Sequence, residues 1–405
     1  MAPTLTQGNG QCVTEVGGDA EERLDRGACL DWQPTRKLPL PMKSLLAASL
    51  LLATAAAANA FGPPGHRLIG DIAASQADSA TVAKVQALVG NLNWGSMACL
   101  PDDIKNWDPG AGQYPDSLAA LAALNVPEHA AILAQLRAFH DANAAFGADS
   151  PTERKHATFH YTDVPVKDPE KYADGPTGRR PDDVVHMIAY CARVLHGDEP
   201  ETNAYKITRP VAVILIMHYV GDIHQPLHVG AEYFNAAGQK ANPDVDQGAT
   251  DYPDQGGNSL IIGSIGGVRV GNRVTRLHAI WDSALVDSAK HQIREATGKS
   301  TMSEREYVKY YAEHPPENWR MPSTLPFTAW SEAWANEILP IAREAHEKLV
   351  FTDLKPVESR GIYSEHGTAS EAPGSDYYNW GGKIIERELG LAGYRLAALL
   401  KAALP

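Results

Sequence analysis

The chain has 405 residues, 44% of them hydrophobic, and a formal net charge of −13. That length accommodates one large domain or two ordinary ones. So acidic a chain is a poor candidate for charge-driven binding along duplex nucleic acid, although a small cationic site inside a cleft is still open to it.

Residues 1–41 are polar and unpatterned and contain Cys12 and Cys29. They read as an upstream extension ahead of a true start at Met42, with a genuine pro-segment as the alternative. Residues 42–60, MKSLLAASLLLATAAAANA, read as a secretory signal peptide. Lys43 supplies the positive start, Leu45 to Ala58 the apolar run, and Ala58-Asn59-Ala60 the small-x-small cleavage site. The run is too short for a membrane span. Cleavage after Ala60 makes Phe61 the new N-terminus, and the expected location is secreted or periplasmic. Only Cys99 and Cys191 follow the cleavage point. In an oxidising compartment they either form one disulfide or stay as two separate buried thiols.

From Phe61 onward helical periodicity dominates. Apolar spacing near 3.6 predicts helices at about 66–90, 127–147, 181–196, 207–223, 275–297, 303–313, 328–350 and 380–403. Pro109-Gly110, Gly175-Pro176 and Pro315-Pro316 punctuate them. The stretch 229–274 is rich in Gly, Asn and Asp, and its Ser259 to Val270 part suits a short β-hairpin around glycine. Residues 352–378 are weakly patterned and read as a long surface loop. With no internal repeat and no mid-chain linker, 61–405 reads as a single all-α domain with a small β-hairpin insertion. The longest dense apolar run in it, Val211 to Met217, is a helix core rather than a membrane span.

Two His-x-x-x-Asp pairs carry chemistry: His218 with Asp222, and His278 with Asp282. Residues i and i+4 share a helix face, so each pair brings an imidazole and a carboxylate to one point. A single pair is most often a surface ion pair. Two pairs, with His228 shortly after the first, point to metal. His66, Asp102 and His160 add further candidates. Mixed nitrogen and carboxylate ligands suit zinc better than magnesium or calcium. His224 reads as an outer neighbour of the ligands or exposed. His129, His140, His156, His186, His196, His291, His314, His346 and His366 lack motif context, and His186 is the best further candidate to support a ligand.

Taken in order, GHRLIGDIA, FHYTDVP, HYVGDIHQPLHV, DQGGN and LHAIWD resemble the zinc-dependent single-strand nucleases and 3′-nucleotidases of the nuclease P-one and nuclease S-one family. That family shares a helical fold with zinc phospholipases C. The resemblance runs from Phe61 to the C-terminal GLAGYRLA and implies three zinc ions. Asp102, His160, His218 and Asp222 match the first site, and His228, His278 and Asp282 the second. The third matches the free amine and carbonyl of Phe61, His66 and the second oxygen of Asp222, which then bridges two metals. Lys105 matches a phosphate-contacting residue, Asp163 and Asn258 base-contacting residues, and Tyr161 a stacking aromatic. Two departures stand out. Phe61 replaces the usual Trp, which matters little if backbone atoms are the ligands. Leu100-Pro101 replace Trp-Ala, so Asp102 and Asp103 are both eligible, and the offset to Ile104 favours Asp102.

Charge counting supports phosphate chemistry. Three divalent ions, less Asp102, Asp222, Asp282 and a bridging hydroxide, leave a net of about +2 inside an acidic protein. Zinc lowers the pKa of its water toward ~7, so zinc-bound hydroxide can attack and no side-chain nucleophile is required. The resemblance implies an endonuclease and 3′-nucleotidase that cleaves P–O3′ bonds and leaves 5′-phosphates. The expected substrates are single-stranded RNA or DNA and 3′-nucleotides, with no stable membrane association and no obligatory protein partner. The rival readings are a zinc phospholipase C-like phosphodiesterase and a non-catalytic zinc-binding surface protein. Polar loops at 160–180 and 229–258 argue against the first. The full set of nine ligand positions argues against the second.

Overall fold

The helix Arg209–Ile223 is the centre of the molecule, and every residue from Val211 to Ile223 is buried. A helix apolar on all sides cannot lie on a surface, so others surround it. Its start follows from local chemistry. Thr208 is extended and caps Val211, and Pro210 sits in the first turn, where a missing N–H costs nothing. Helices Gly62–Gln76, Val184–His196 and Tyr377–Ala403 pack against it. Ile214, Leu215, Ile69, Leu396 and Leu399 are among the fully buried side chains of one continuous core. Each such side chain contributes about 1.5–3 kcal/mol by leaving water.

The computed structural model describes residues 61–405 apart from 109–115, 124–126, 148–149, 169–170, 247–251, 269–274, 358–361 and 364–366. The expected extension at 1–41 and the expected signal peptide at 42–60 lie outside the described residues. The described part is mostly helical with small sheets, as expected.

Several boundaries differ from the periodicity, for local reasons. The expected 66–90 helix is two helices, Gly62–Gln76 and Ser79–Val89. Ala77 turns extended, and the Asp78 carboxylate caps Thr81 N–H at 2.8 Å, starting a new helix. Three short helices, Trp94–Met97, Leu100–Asn106 and Asp116–Ala123, had too few turns to show a period. The 275–297 helix is interrupted by a π turn at Ile280–Ala284, which contains Asp282. Such wide turns occur inside helices mostly at functional sites.

The β structure is small and partly long-range. Tyr233–Phe234 and Lys240–Ala241 make an antiparallel hairpin closed around Asn235 and Gly238, upstream of the hairpin expected at 259–270, whose last two residues lie outside the described ones. Leu260–Ile262 does something else. It pairs in parallel with Gly367–Ala369, and among the described residues it also bridges to Arg276 through Ile261. Strand Gly367–Glu371 also pairs antiparallel with Leu349–Thr352. The 352–378 segment is therefore partly a sheet strand, which a weak local pattern could not show.

Candidate metal centre

His218 and Asp222 point inward from the last turns of the central helix. His218 Nδ1 donates to the carbonyl of Ala98 at 2.7 Å, which turns Nε2 toward the cluster. That Nε2 lies 3.3 Å from Asp222 Oδ2 and 3.5 Å from Asp102 Oδ1. His160, ending the 3₁₀ turn Lys155–His160, brings Nδ1 to 3.0 Å from His218 Nε2 and 3.0 Å from Asp222 Oδ2. Asp102 enters from the helix Leu100–Asn106. On the other side of Asp222, His66 Nε2 lies 3.4 Å from Oδ1, and its ring stacks on His218 at 3.8 Å. This approach needs Gly221. A Cβ there would lie 2.7 Å from His66 Nδ1.

The second group adjoins the first. His228 Nδ1 donates to the carbonyl of His160 at 2.7 Å, and His278 Nδ1 to that of Gly256 at 2.7 Å. Their Nε2 atoms face each other at 3.0 Å, and His278 Nε2 lies 3.5 Å from Asp282 Oδ2. Gln225 Nε2 holds the other Asp282 oxygen at 2.9 Å. The two imidazoles thus present opposed lone pairs, an arrangement that repels unless a cation sits between them.

Other buried atoms make the same demand. Both nitrogens of His66 and both oxygens of Asp222 are fully buried without a well-aligned hydrogen bond. Such orphans are costly unless something else satisfies them. Burial pushes His228 well below the ordinary histidine value, and His160 and His278 down to about 4. Burial alone would raise Asp222, but the facing imidazoles of His218 and His160 outweigh it and hold the carboxyl well below its usual range. Asp282 goes the other way, raised by burial. For His160, His228, His278 and Asp222 these directions favour the neutral imidazole and carboxylate forms that ligate metal, whereas at His218 burial is outweighed by Asp222 and Asp102, which raise it. The three groups His66–Asp102–His218, His160–His218–Asp222 and His228–His278–Asp282 each hold their ligand atoms within 4.8 Å of one another. The donor set fits zinc.

Asp103 faces away and accepts from the Leu118 N–H at 3.2 Å, so Asp102 is the carboxylate that joins the cluster. Lys105 lies beside it, its side chain about one-tenth exposed, with Nζ 2.8 Å from Asp102 Oδ1. Tyr161 and Asp163 follow His160 and are half-buried. Asn258 is also half-buried, its amide donating to the carbonyl of Gln255 at 3.1 Å. His186 does not support the centre. It is half exposed and bonds to Asp183 and Tyr172. His224 is fully buried and meets Arg395 Nη1 at 3.1 Å. Cys99 and Cys191 are separate buried thiols, so the disulfide alternative falls. Sequence reasoning missed His346, which pairs with Asp254 across 92 positions, a separation no local pattern reports.

A helical scaffold carrying buried, opposed imidazoles and orphaned carboxylate oxygens defines a protein with a candidate multinuclear metal centre. A sequence model of the S1/P1 nuclease family matches residues 61–405, and the chain belongs to that family. It is similar to Endonuclease 4 of Arabidopsis thaliana, 25% identical over 348 residues that span 84% of this chain and 88% of that protein. It is also similar to Endonuclease 5 of Arabidopsis thaliana, 22% identical over 219 residues, 53% of this chain and 58% of that protein. The chain is thus a hydrolase of nucleic-acid phosphodiester bonds, in a family that is zinc-dependent in general. No described helix is long and apolar enough to cross a membrane.

Proposed function

We propose that this nuclease works with three zinc ions, is exported and cut after Ala60, and cleaves P–O3′ bonds of single-stranded RNA or DNA and of 3′-nucleotides. The observation that carries the reading is the position of Asp222. One oxygen faces His66 and the other faces His160 and His218, so a single carboxylate can serve two ions. His228, His278 and Asp282 would hold another, and Phe61 backbone atoms would complete the His66 site. Zinc, when bound, supplies Lewis acidity and hydroxide near neutral pH.

The chain's own residues then position and stabilise. Burial disfavours charge on Lys105, but Asp102 beside it outweighs that and raises its pKa, so the ammonium stays charged. It can meet negative charge developing on a phosphoryl oxygen. Gln225 restrains Asp282, and the carbonyls of Ala98, His160 and Gly256 fix which ring nitrogen of His218, His228 and His278 is offered. Tyr161, Asp163 and Asn258 would contact an unstacked base, which favours single strands over duplex.

EDTA should abolish hydrolysis and lower Tm, because bound metal stabilises the native state by mass action. Added zinc should restore both. The measurement is zinc per chain, with rates on single-stranded DNA, 3′-AMP and phosphatidylcholine compared. Full activity in metal-free protein would end the metal reading, and a preference for phosphatidylcholine would end the nuclease specificity.

Asp163→Ala and Asn258→Ala should raise KM for base-bearing substrates by about 10-fold each, the scale of one lost hydrogen bond of ~1.4 kcal/mol. Bis(p-nitrophenyl) phosphate, which has no base, should be affected less. Equal losses on all substrates would place these residues in the scaffold instead.

A further inference from the structure

His346 and Asp254 form a fully buried ion pair outside the ligand set, with Nε2 2.9 Å from Oδ2. His346 Nδ1 lies 2.7 Å from the carbonyl of Ala342, one helical turn back. Both ring nitrogens face acceptors, so the ring carries two protons and is an imidazolium. Burial opposes that charge, but Asp254 outweighs it, and the histidine is raised above its ordinary value.

Asp254 in turn anchors a strained turn. Its Oδ1 accepts from the Glu232 N–H at 3.1 Å, its own N–H donates to the Glu232 carbonyl at 2.8 Å, and its carbonyl accepts from Ser259 N–H at 3.0 Å. Between these anchors Gln255, Gly256 and Gly257 all have left-handed φ, at 56°, 56° and 81°. A non-glycine residue in that region costs about 1–2 kcal/mol, so the turn needs outside support. Gly256 is also wedged. A Cβ there would lie 2.1 Å from the Leu227 carbonyl oxygen. The same turn presents the Gly256 carbonyl that orients His278, and it carries Asn258.

We propose that His346 is a positioning residue for the second ligand group, clamping Asp254 so that the 254–259 turn aims His278 and holds Asn258 beside it. This rests on the reading of His228, His278 and Asp282 as metal ligands.

The test uses purified zinc-loaded enzyme and chelator competition, followed by kinetics on single-stranded DNA. His346→Leu should release about one zinc per chain at roughly 10-fold lower chelator, the low end of the effect of losing an outer partner of a metal ligand. Its kcat should fall and its KM should rise. His346→Gln, which can still donate to Asp254, should recover part of both, and it carries the test alone if the leucine variant does not fold. Ser303→Ala, which removes the capping box of helix Glu304–Glu313, supplies a stability loss away from the site and should leave zinc retention and KM unchanged. Wild-type zinc retention and KM in both His346 variants would overturn the proposal while leaving the metal reading intact. The same loss in Ser303→Ala would also overturn it, by tracing the effect to general stability. A wild-type enzyme that holds no zinc would overturn the metal reading and this proposal with it.

Discussion

Asp222→Ala is expected to lose more than one zinc per chain and to reduce turnover by more than about 10³-fold. Removing a single donor to a developing oxyanion already costs roughly 10²–10³-fold, and this change disturbs two ions at once. Both Asp222 oxygens are buried and face different histidines, one toward His66 and the other toward His160. The same substitution leaves Asp102 as the carboxylate beside His66, His160 and His218, which adds a stability cost in the metal-free state. Asp103→Ala is the contrast. It removes the hydrogen bond to Leu118 N–H, worth ~1 kcal/mol of stability, and should keep metal content near wild type. Metal analysis and kcat on both variants check the prediction. The reverse order of effects would move the first-site carboxylate from Asp102 to Asp103.

The second large effect is expected at Phe61. Its side chain is fully buried, its ring lies 6.5 Å from that of His66, and it precedes the helix Gly62–Gln76. Packing therefore fixes the main chain close to a ligand. If the third zinc binds the α-amine and carbonyl of Phe61, the amine must first be freed by cleavage after Ala60. A free α-amine has a pKa of about 7.7–8.0, so metal has only a weakly held proton to displace. An amide nitrogen in an uncut chain has no lone pair to offer. An exported, processed protein should hold three zincs and be active. A cytoplasmic form with Met directly before Phe61, its retention verified by mass spectrometry, should fold, hold about two zincs and be severely impaired. Folding is expected because the central helix and the other ligand groups do not involve the terminus. Equal zinc content and equal rates would remove Phe61 from the ligand set.

The sequence by itself determined the helical class, most long helices and the groups that carry chemistry. Those signals are local. A 3.6-residue period sums over many turns, and His218–Asp222 and His278–Asp282 share a helix face through backbone geometry alone. What only the tertiary structure decided depends on contacts between distant segments. Asp102 was already favoured by its offset to Ile104, and the docking of the short helix Leu100–Asn106 places it in the cluster with Asp103 left to meet Leu118. His186 turned outward to Asp183, although its helix face had suggested the centre. Leu260–Ile262 took a strand more than 100 positions away as its partner, and Asp254 took His346. The π turn around Asp282 is likewise absent from any residue pattern. Pairings like these are settled by packing and by the need to satisfy buried polar groups, and neither acts until the chain has folded onto itself.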